Sequence, residues 1–124
     1  MITSFTLTGG VPSKKNSRKA IYVGGRTIMI ANDKHVAWHK DASMQLIAQR
    51  AKKIPGEYHK VEIKLFAPDR RKGDLTNKAE SIMDLLVDNG IIEDDNWFVV
   101  GGLHLFFGGV DKENPRAEVI IETI

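Results

Sequence analysis

Residues 61–90 carry the pattern that most constrains the fold, because a half-buried strand is followed directly by an amphipathic helix. The apolar residues of the strand alternate with charged ones and are Val61, Ile63 and Leu65. This period of two predicts a strand with one buried face, which ends at Pro68. From about Asn77 to Val87 the period changes to that of a helix, and Asn89-Gly90 supplies its stop. The apolar side of this helix consists of Ala79, Ile82, Met83 and Leu86.

The segment before this unit predicts three strands and a first helix. Residues 3–8 alternate and end at glycines, and "AIYVGGRTIMI" predicts a hairpin that turns at Gly24-Gly25. A helix is expected from Asn32 or Asp33 to about Lys53, before a Pro-Gly breaker. Its apolar side is predicted to contain Val36, Ser43, Met44 and Ile47.

The segment after this unit predicts two further strands. One is "WFVVGGLHLFF", interrupted or bulged at Gly101-Gly102, and the other is "AEVIIETI". The expected order is βββαβαββ. We therefore predict an α+β protein with a single mixed sheet and two main helices packed on one face.

Composition indicates one ordinary globular domain, residues 1–124. The chain is 42% hydrophobic and 27% charged, which excludes the signature of disorder. It contains no cysteine, so a disulfide framework and a thiolate zinc site are excluded. No apolar run approaches the length of a membrane span and no secretory signal is recognisable, so a cytoplasmic protein is expected.

The basic residues form two clusters although the net charge is only +2. The first surrounds Asn16 and contains Lys14, Lys15, Arg18 and Lys19. The second, which follows the strand that ends at Pro68, contains Arg70, Arg71 and Lys72. Each cluster alone fits either a solvated surface or a set of phosphate contacts.

The acidic residues are concentrated from Asp74 to Asp95. Asn77, Glu80 and Asp84 share an arc of the second helix opposite its apolar side. Asn77 with Glu80 also has the spacing of a capping arrangement, and Asp74 suits a helix N-terminus, so structural and catalytic roles both remain open.

Glu93, Asp94 and Asp95 repel one another in a turn unless a cation offsets the repulsion. If the strands that flank the second helix are neighbours, Asp74 and Asp95 are expected at the same end of the sheet. Carboxylates without His or Cys suit Mg²⁺ or Mn²⁺. With basic residues alongside, this set predicts a phosphodiesterase.

Two stretches resemble a known family. "APDRRKGDLTNKAESIMDLLVDNGIIEDDNW" and "GGVPSKKNSRK" are similar to the signature and the N-terminal loop of the RusA-type Holliday junction resolvases. The resemblance implies a RusA-like fold and a homodimer that cuts four-way DNA junctions with Mg²⁺, for which Mn²⁺ is a possible substitute. It also implies roles in DNA recombination and repair, and the family's frequent prophage setting makes phage origin reasonable, although host or phage origin stays open.

The resemblance assigns the family aspartates to Asp74 and Asp95, with Asp94 beside the latter, and the family asparagine to Asn77. Two positions depart from the pattern, because Thr76 stands for an aspartate and Glu80 for a lysine. We hypothesise that Glu80 supplies the missing carboxylate. The catalytic and metal-ligating set is then Asp74, Asp95 and Glu80, with Asp94 as a further metal ligand.

The proposed DNA contacts are Lys14, Lys15, Asn16, Arg18, Arg70, Arg71, Lys72, Asn77 and Lys78. The alternative is a degenerate site that binds branched DNA without cutting it. A purely structural or interaction protein is a third possibility.

Overall fold

The alternating strand and the amphipathic helix form the centre of the molecule in the computed structural model, which describes residues 2–123. The strands are β1 (Ile2–Thr8), β2 (Arg18–Val23), β3 (Arg26–Ala31), β4 (His59–Ala67), β5 (Val100–Val110) and β6 (Arg116–Glu122). The helices are α1 (Asp33–Ala48) and α2 (Leu75–Asp88), with a 3-10 turn at Lys14–Asn16. Of the helices in this described part, none is long and apolar enough to cross a membrane.

The expected α+β class and the order βββαβαββ are confirmed, with one correction to the sheet. Four strands form a mixed sheet in the order β1-β6-β4-β5, in which β4 and β5 are parallel and the other pairs antiparallel. The β2–β3 hairpin is a separate two-stranded sheet, not part of a single one. Its residues are mostly exposed, including the apolar Tyr22, Val23, Ile28 and Met29, so the hairpin adds little to the core.

One face of the main sheet is buried under the helices. The inward side chains of β4 and β6 are Val61, Ile63, Leu65, Ala117, Val119 and Ile121, all at most 5% exposed. The predicted apolar side of α2 packs against them and is confirmed, since Ile82 and Leu86 are fully buried. The apolar faces predicted for β4 and α2 therefore pack in the same core.

Strand β5 carries the predicted irregularity at its glycines. Gly101 and Gly108 are both skipped in the pairing with β4. A Cβ on Gly108 would lie 2.6 Å from the Phe66 ring, and one on Gly101 would lie 3.3 Å from the Tyr58 Cα. A side chain at either bulge would therefore crowd the residue beside it.

Helix α1 is shorter than expected and buries a different side. Asn32 caps it by accepting a hydrogen bond from the Lys34 amide at 3.0 Å, and it ends at Ala48 instead of Lys53. The buried residues are Trp38, Ala42 and Leu46, whereas Val36, Met44 and Ile47 of the predicted side are exposed. The predicted buried side was wrong. The helix places polar side chains against the edge of β1, and this orientation leaves Val36, Met44 and Ile47 facing solvent.

Gln45 of α1 and Gln49, its C-cap, cover this edge. The Gln45 side chain accepts from the Thr8 amide at 2.7 Å and donates to the Thr8 carbonyl at 3.1 Å. The Gln49 side chain likewise accepts from the Thr6 amide at 3.0 Å and donates to the Thr6 carbonyl at 2.6 Å. One helical turn rises about 5.4 Å and two strand residues about 6.7 Å, so the two spacings nearly match. The side chains therefore replace a missing strand.

Replacing both glutamines by alanine should lower the free energy of unfolding by about 1–2 kcal/mol, because backbone groups of β1 lose their partners. Amide exchange at Thr6 and Thr8 should accelerate. The matched control is Ile47→Ala on the same helix, which removes a side chain that is 72% exposed and should change stability by less than about 0.5 kcal/mol. A double variant with the stability and amide exchange of the parent would contradict the conclusion that Gln45 and Gln49 satisfy the backbone groups of β1.

Candidate active site

Asp74 begins helix α2. Its Oδ1 accepts hydrogen bonds from the Thr76 hydroxyl at 2.8 Å and the Asn77 amide at 3.2 Å. The Thr76 hydroxyl and then the Asn77 amide hold the pKa of Asp74 below its ordinary value, and the nearby Lys15 lowers it further. The other carboxylate oxygen, Oδ2, accepts no hydrogen bond from residues 2–123. Asp74 is therefore an ionised, oriented group with one oxygen available to a ligand.

The N-terminal basic loop, residues 11–16, is seated on the first turns of α2. Asn77 Oδ1 accepts from the Lys15 amide at 2.7 Å and also from the Ser13 hydroxyl. Because a side-chain amide on the helix bonds two groups of the loop, the loop is held beside Asp74.

Three further side chains of α2 extend this contact. Lys78 Nζ donates to the Val11 carbonyl at 2.9 Å, and the Ser81 hydroxyl donates to the Pro12 carbonyl at 2.8 Å. Asp84 forms an ion pair with Lys14. Lys15 of the first basic cluster is thereby held at the end of α2 that the second cluster leads into, whereas Lys14 is held further along the helix by Asp84.

The contacts divide the predicted DNA-binding residues into two groups. Asn77 and Lys78 hold the loop, Lys14 pairs with Asp84, and Arg71 donates from Nη2 and Nε to one oxygen of Asp69, Oδ2, at 2.8 and 3.0 Å. The remaining residues are exposed and form no ion pair with another described residue: Lys15, Asn16, Arg18, Arg70 and Lys72. These five are better placed to meet a phosphate.

A cavity of about 790 Å³ lies beside this surface and was not predicted from the sequence. Its apolar wall comes from separate elements and includes Val11, Leu65, Leu75, Phe107 and Val110, and its charged rim contains Arg70, Arg71, Lys72 and Lys78. No local pattern indicates such a cavity, because it forms only where the basic loops, β4 and β5 meet.

The other predicted carboxylates occupy two places. Glu80 is exposed on α2 and has no hydrogen-bonding partner among the described residues, so the capping role considered for it is taken by Asp74. Asp94 accepts from the Asn96 side chain and the Asp95 amide, both at 2.8 Å, and these bonds lower its pKa. The Asp95 side chain is exposed in the same turn.

The expectation that Asp74 and Asp95 meet at one end of the sheet within a chain is wrong. Strands β4 and β5 are parallel, and His59 at the start of β4 pairs with Val100 at the start of β5. Asp74 follows the end of β4, whereas Asp95 precedes the start of β5. Helix α2, which has 14 residues and spans about 21 Å, runs between the two ends.

One chain accordingly does not provide the expected metal centre. Within residues 2–123, no three His, Asp or Glu side chains lie close enough together to hold a metal ion. The available donors are carboxylate oxygens, which Mg²⁺ prefers, but they are divided between two ends of the sheet.

The comparison with protein families identifies the class of protein to which the chain belongs. The family model described as Endodeoxyribonuclease RusA matches residues 10–122. The chain therefore belongs to the RusA endodeoxyribonuclease family, as the two stretches around residues 9–19 and 67–97 indicated. A comparison with curated proteins gave no significant match.

The capping role of Asp74 can be separated from its charge. Asp74→Asn should leave the melting temperature close to that of the parent, because asparagine also caps helices well, whereas Asp74→Ala should lower it. Glu80→Ala is the matched control on the same helix and should cause no comparable loss. A melting temperature equally low for the asparagine and alanine variants would contradict the capping geometry.

Proposed function

We propose that this protein is an endonuclease that resolves four-way DNA junctions, and that it cuts at the surface around the N-terminus of α2. The observation that carries the proposal is the meeting of both basic clusters with the ionised Asp74 at this helix end. Membership of the endodeoxyribonuclease family supports the chemistry, since phosphodiester cutting needs cations for the phosphates and a carboxylate at the reaction centre.

The cationic residues of this surface support binding of a DNA backbone. Lys15, Arg70 and Lys72 project from two loops that flank Asp74, so phosphates on both sides of a scissile bond have a positive partner. The partial positive charge of the helix N-terminus adds to the attraction. Arg18, at the start of the hairpin, would extend the contact along the strand.

The cofactor we propose is Mg²⁺, with Mn²⁺ as a substitute, because the candidate ligands are all carboxylates. When bound, such an ion activates water and stabilises the leaving oxygen. Asp74, the N-cap of α2, and Glu80, in its second turn, are proposed as catalytic carboxylates. Asp95 and Asp94 complete the proposed ligand set; they lie at the other end of the sheet in one chain, so the second copy of the homodimer that the family resemblance implies would supply them.

Branched-DNA binding without cutting is the second candidate. It is favoured by the two departures from the family pattern, Thr76 and Glu80, together with the absence of a three-carboxylate group within residues 2–123. A binding protein would retain the cationic surface and would not need the carboxylates.

Removal of single carboxylates distinguishes the two candidates. Asp74→Asn, Glu80→Gln and Asp95→Asn should each reduce Mg²⁺-dependent cutting of a labelled four-way junction by about 100-fold or more, because each removes a charge needed at the reaction centre. Junction affinity should be retained. Denaturing gels measure the product, and gel shifts measure binding.

The matched control is Glu93→Gln, which removes the same charge from the turn that contains Asp95 and should cut normally. Wild-type binding without any metal-dependent product would reject the nuclease proposal and leave the binding protein. Full activity of Glu80→Gln would show that this carboxylate does not replace the missing family aspartate.

The proposed phosphate contacts predict a change in salt dependence. Arg70→Ala and Lys72→Ala should each weaken junction binding and reduce the slope of log K against log salt by about 0.9, the value for one lost phosphate contact. Lys52→Ala, which removes an exposed cation from the segment between α1 and β4, is the control and should leave the slope unchanged. If all three variants have the same slope of log K against log salt, the DNA does not contact Arg70 and Lys72 and must bind to another surface.

A further inference from the structure

The cavity of about 790 Å³ lies between the end of β5 and the first turn of α2. Its lining includes Val11 and Leu65, which are only 8% and 5% exposed, so the cavity reaches down to the core. The volume is within the range of about 300–1,000 Å³ that is usual for sites that bind small molecules. The cavity therefore has the size and the depth of a ligand site.

Phe107 is the aromatic side chain of this cavity that remains free. It pairs with Leu65 of β4 and so lies on the helix side of the sheet, but it is 61% exposed. Helix α2 begins only at Leu75, and the helix layer leaves the end of β5 uncovered. Phe66 also lines the cavity, but the Arg116 guanidinium already stacks on its ring at 3.7 Å. The Phe107 ring forms no such pair with another described residue and is available to a ligand.

The rim of the cavity carries cations next to this apolar wall. Arg70 and Lys72 are exposed and form no ion pair with another described residue. The one acidic residue of the lining is Asp69. It accepts hydrogen bonds from the backbone amide and the guanidinium of Arg71, so its charge is already compensated. The ligand that complements this site has an anionic group for the rim and a flat ring for Phe107, and a nucleotide has both.

The cavity adjoins the carboxylate that is proposed for cutting. Gly73 and Leu75, the chain neighbours of Asp74, both line it. Because neighbouring Cα atoms are only about 3.8 Å apart, Asp74 lies at the mouth of the cavity. A phosphate that Arg70 and Lys72 hold beside Asp74 therefore has its own base within reach of the cavity.

The branch point of a four-way junction supplies a base that can leave its stack. A base inside a duplex is paired and is stacked on both sides, so its extrusion costs free energy. A base at the crossover loses one stacking neighbour when the arms are spread, and it enters a pocket at a lower cost. Stacking on an aromatic side chain offsets part of that cost for any base. The cavity therefore favours branched DNA over uninterrupted duplex.

We propose that the cavity receives one unstacked base of the bound DNA, that Phe107 stacks on this base, and that its phosphate lies between Arg70 and Lys72. The proposal rests on the proposed function for the presence of DNA at this end of α2. It assigns a use to the apolar wall, which phosphate contacts alone leave without one. Phe107 thus selects the branch point, and the carboxylates are left to perform the reaction.

Phe107→Ala tests the stacking contact. In EDTA, which prevents cutting, the ratio of the affinities for a four-way junction and for a duplex should fall by about 5- to 150-fold, the value of one stacked base. Phe107→Tyr keeps the ring and should keep the ratio. Phe106→Ala is the matched control, because it removes the same side chain from the neighbouring position on the opposite face of β5. Fluorescence anisotropy measures both affinities, and an unchanged ratio for Phe107→Ala would overturn the proposal.

Removal of the base tests the same contact from the side of the DNA, with the protein unaltered. An abasic analogue is placed in turn at each nucleotide next to the crossover. At the position whose base occupies the cavity, the parent protein should lose affinity, and Phe107→Ala should then cause no further loss. A loss from Phe107→Ala that is equal on all these junctions would overturn the proposal, and would indicate that Phe107 packs against another protein chain instead.

Photocrosslinking separates this proposal from the proposed function. A junction that carries 5-iodouracil at the position found with the abasic analogues should crosslink to Phe107 on irradiation, and mass spectrometry of the digested adduct identifies the residue. A crosslink outside the cavity would overturn the proposal even for a protein that cuts junctions. A crosslink to Phe107 in a protein that gives no metal-dependent product would support the base pocket and reject the cutting function. A protein that binds no junction would overturn both.

Discussion

The parallel pairing of β4 with β5 is the constraint on which the rest of the structure depends. Parallel neighbours require a crossover, and α2 provides it by running back over the sheet. This route places Asp74 at one end of the sheet and Asp95 at the other. The separation of the carboxylates is therefore a property of the topology, not of any side-chain conformation.

Helix α2 combines two tasks. Ile82 and Leu86 are buried in the core, while the neighbouring Asn77, Lys78 and Ser81 bind the N-terminal basic loop. Binding the loop uses the hydrogen-bonding capacity of residues that would otherwise face solvent. As a result, cationic residues that are distant in the chain lie near one end of the helix, where their charge and the helix dipole attract a phosphate backbone.

The two edges of the main sheet differ in whether their unpaired backbone groups are covered by side chains. Unpaired backbone groups of an edge strand invite another strand. At β1 the side chains of Gln45 and Gln49 occupy them, and this task explains why this side of α1 faces β1 and Ile47 stays exposed. At β5 no further strand lies beside the edge among residues 2–123, and its glycines and apolar residues leave the edge open.

The sequence by itself determined the elements and much of their packing. Periodicity located β4 and the buried side of α2 because both are set by local spacing, and the resemblance carried by residues 67–97 identified the family. Tertiary structure alone decided the buried side of α1, the separate hairpin, the cavity and the distance between Asp74 and Asp95. These depend on which strands become neighbours and in which direction they run, and no local pattern contains that information.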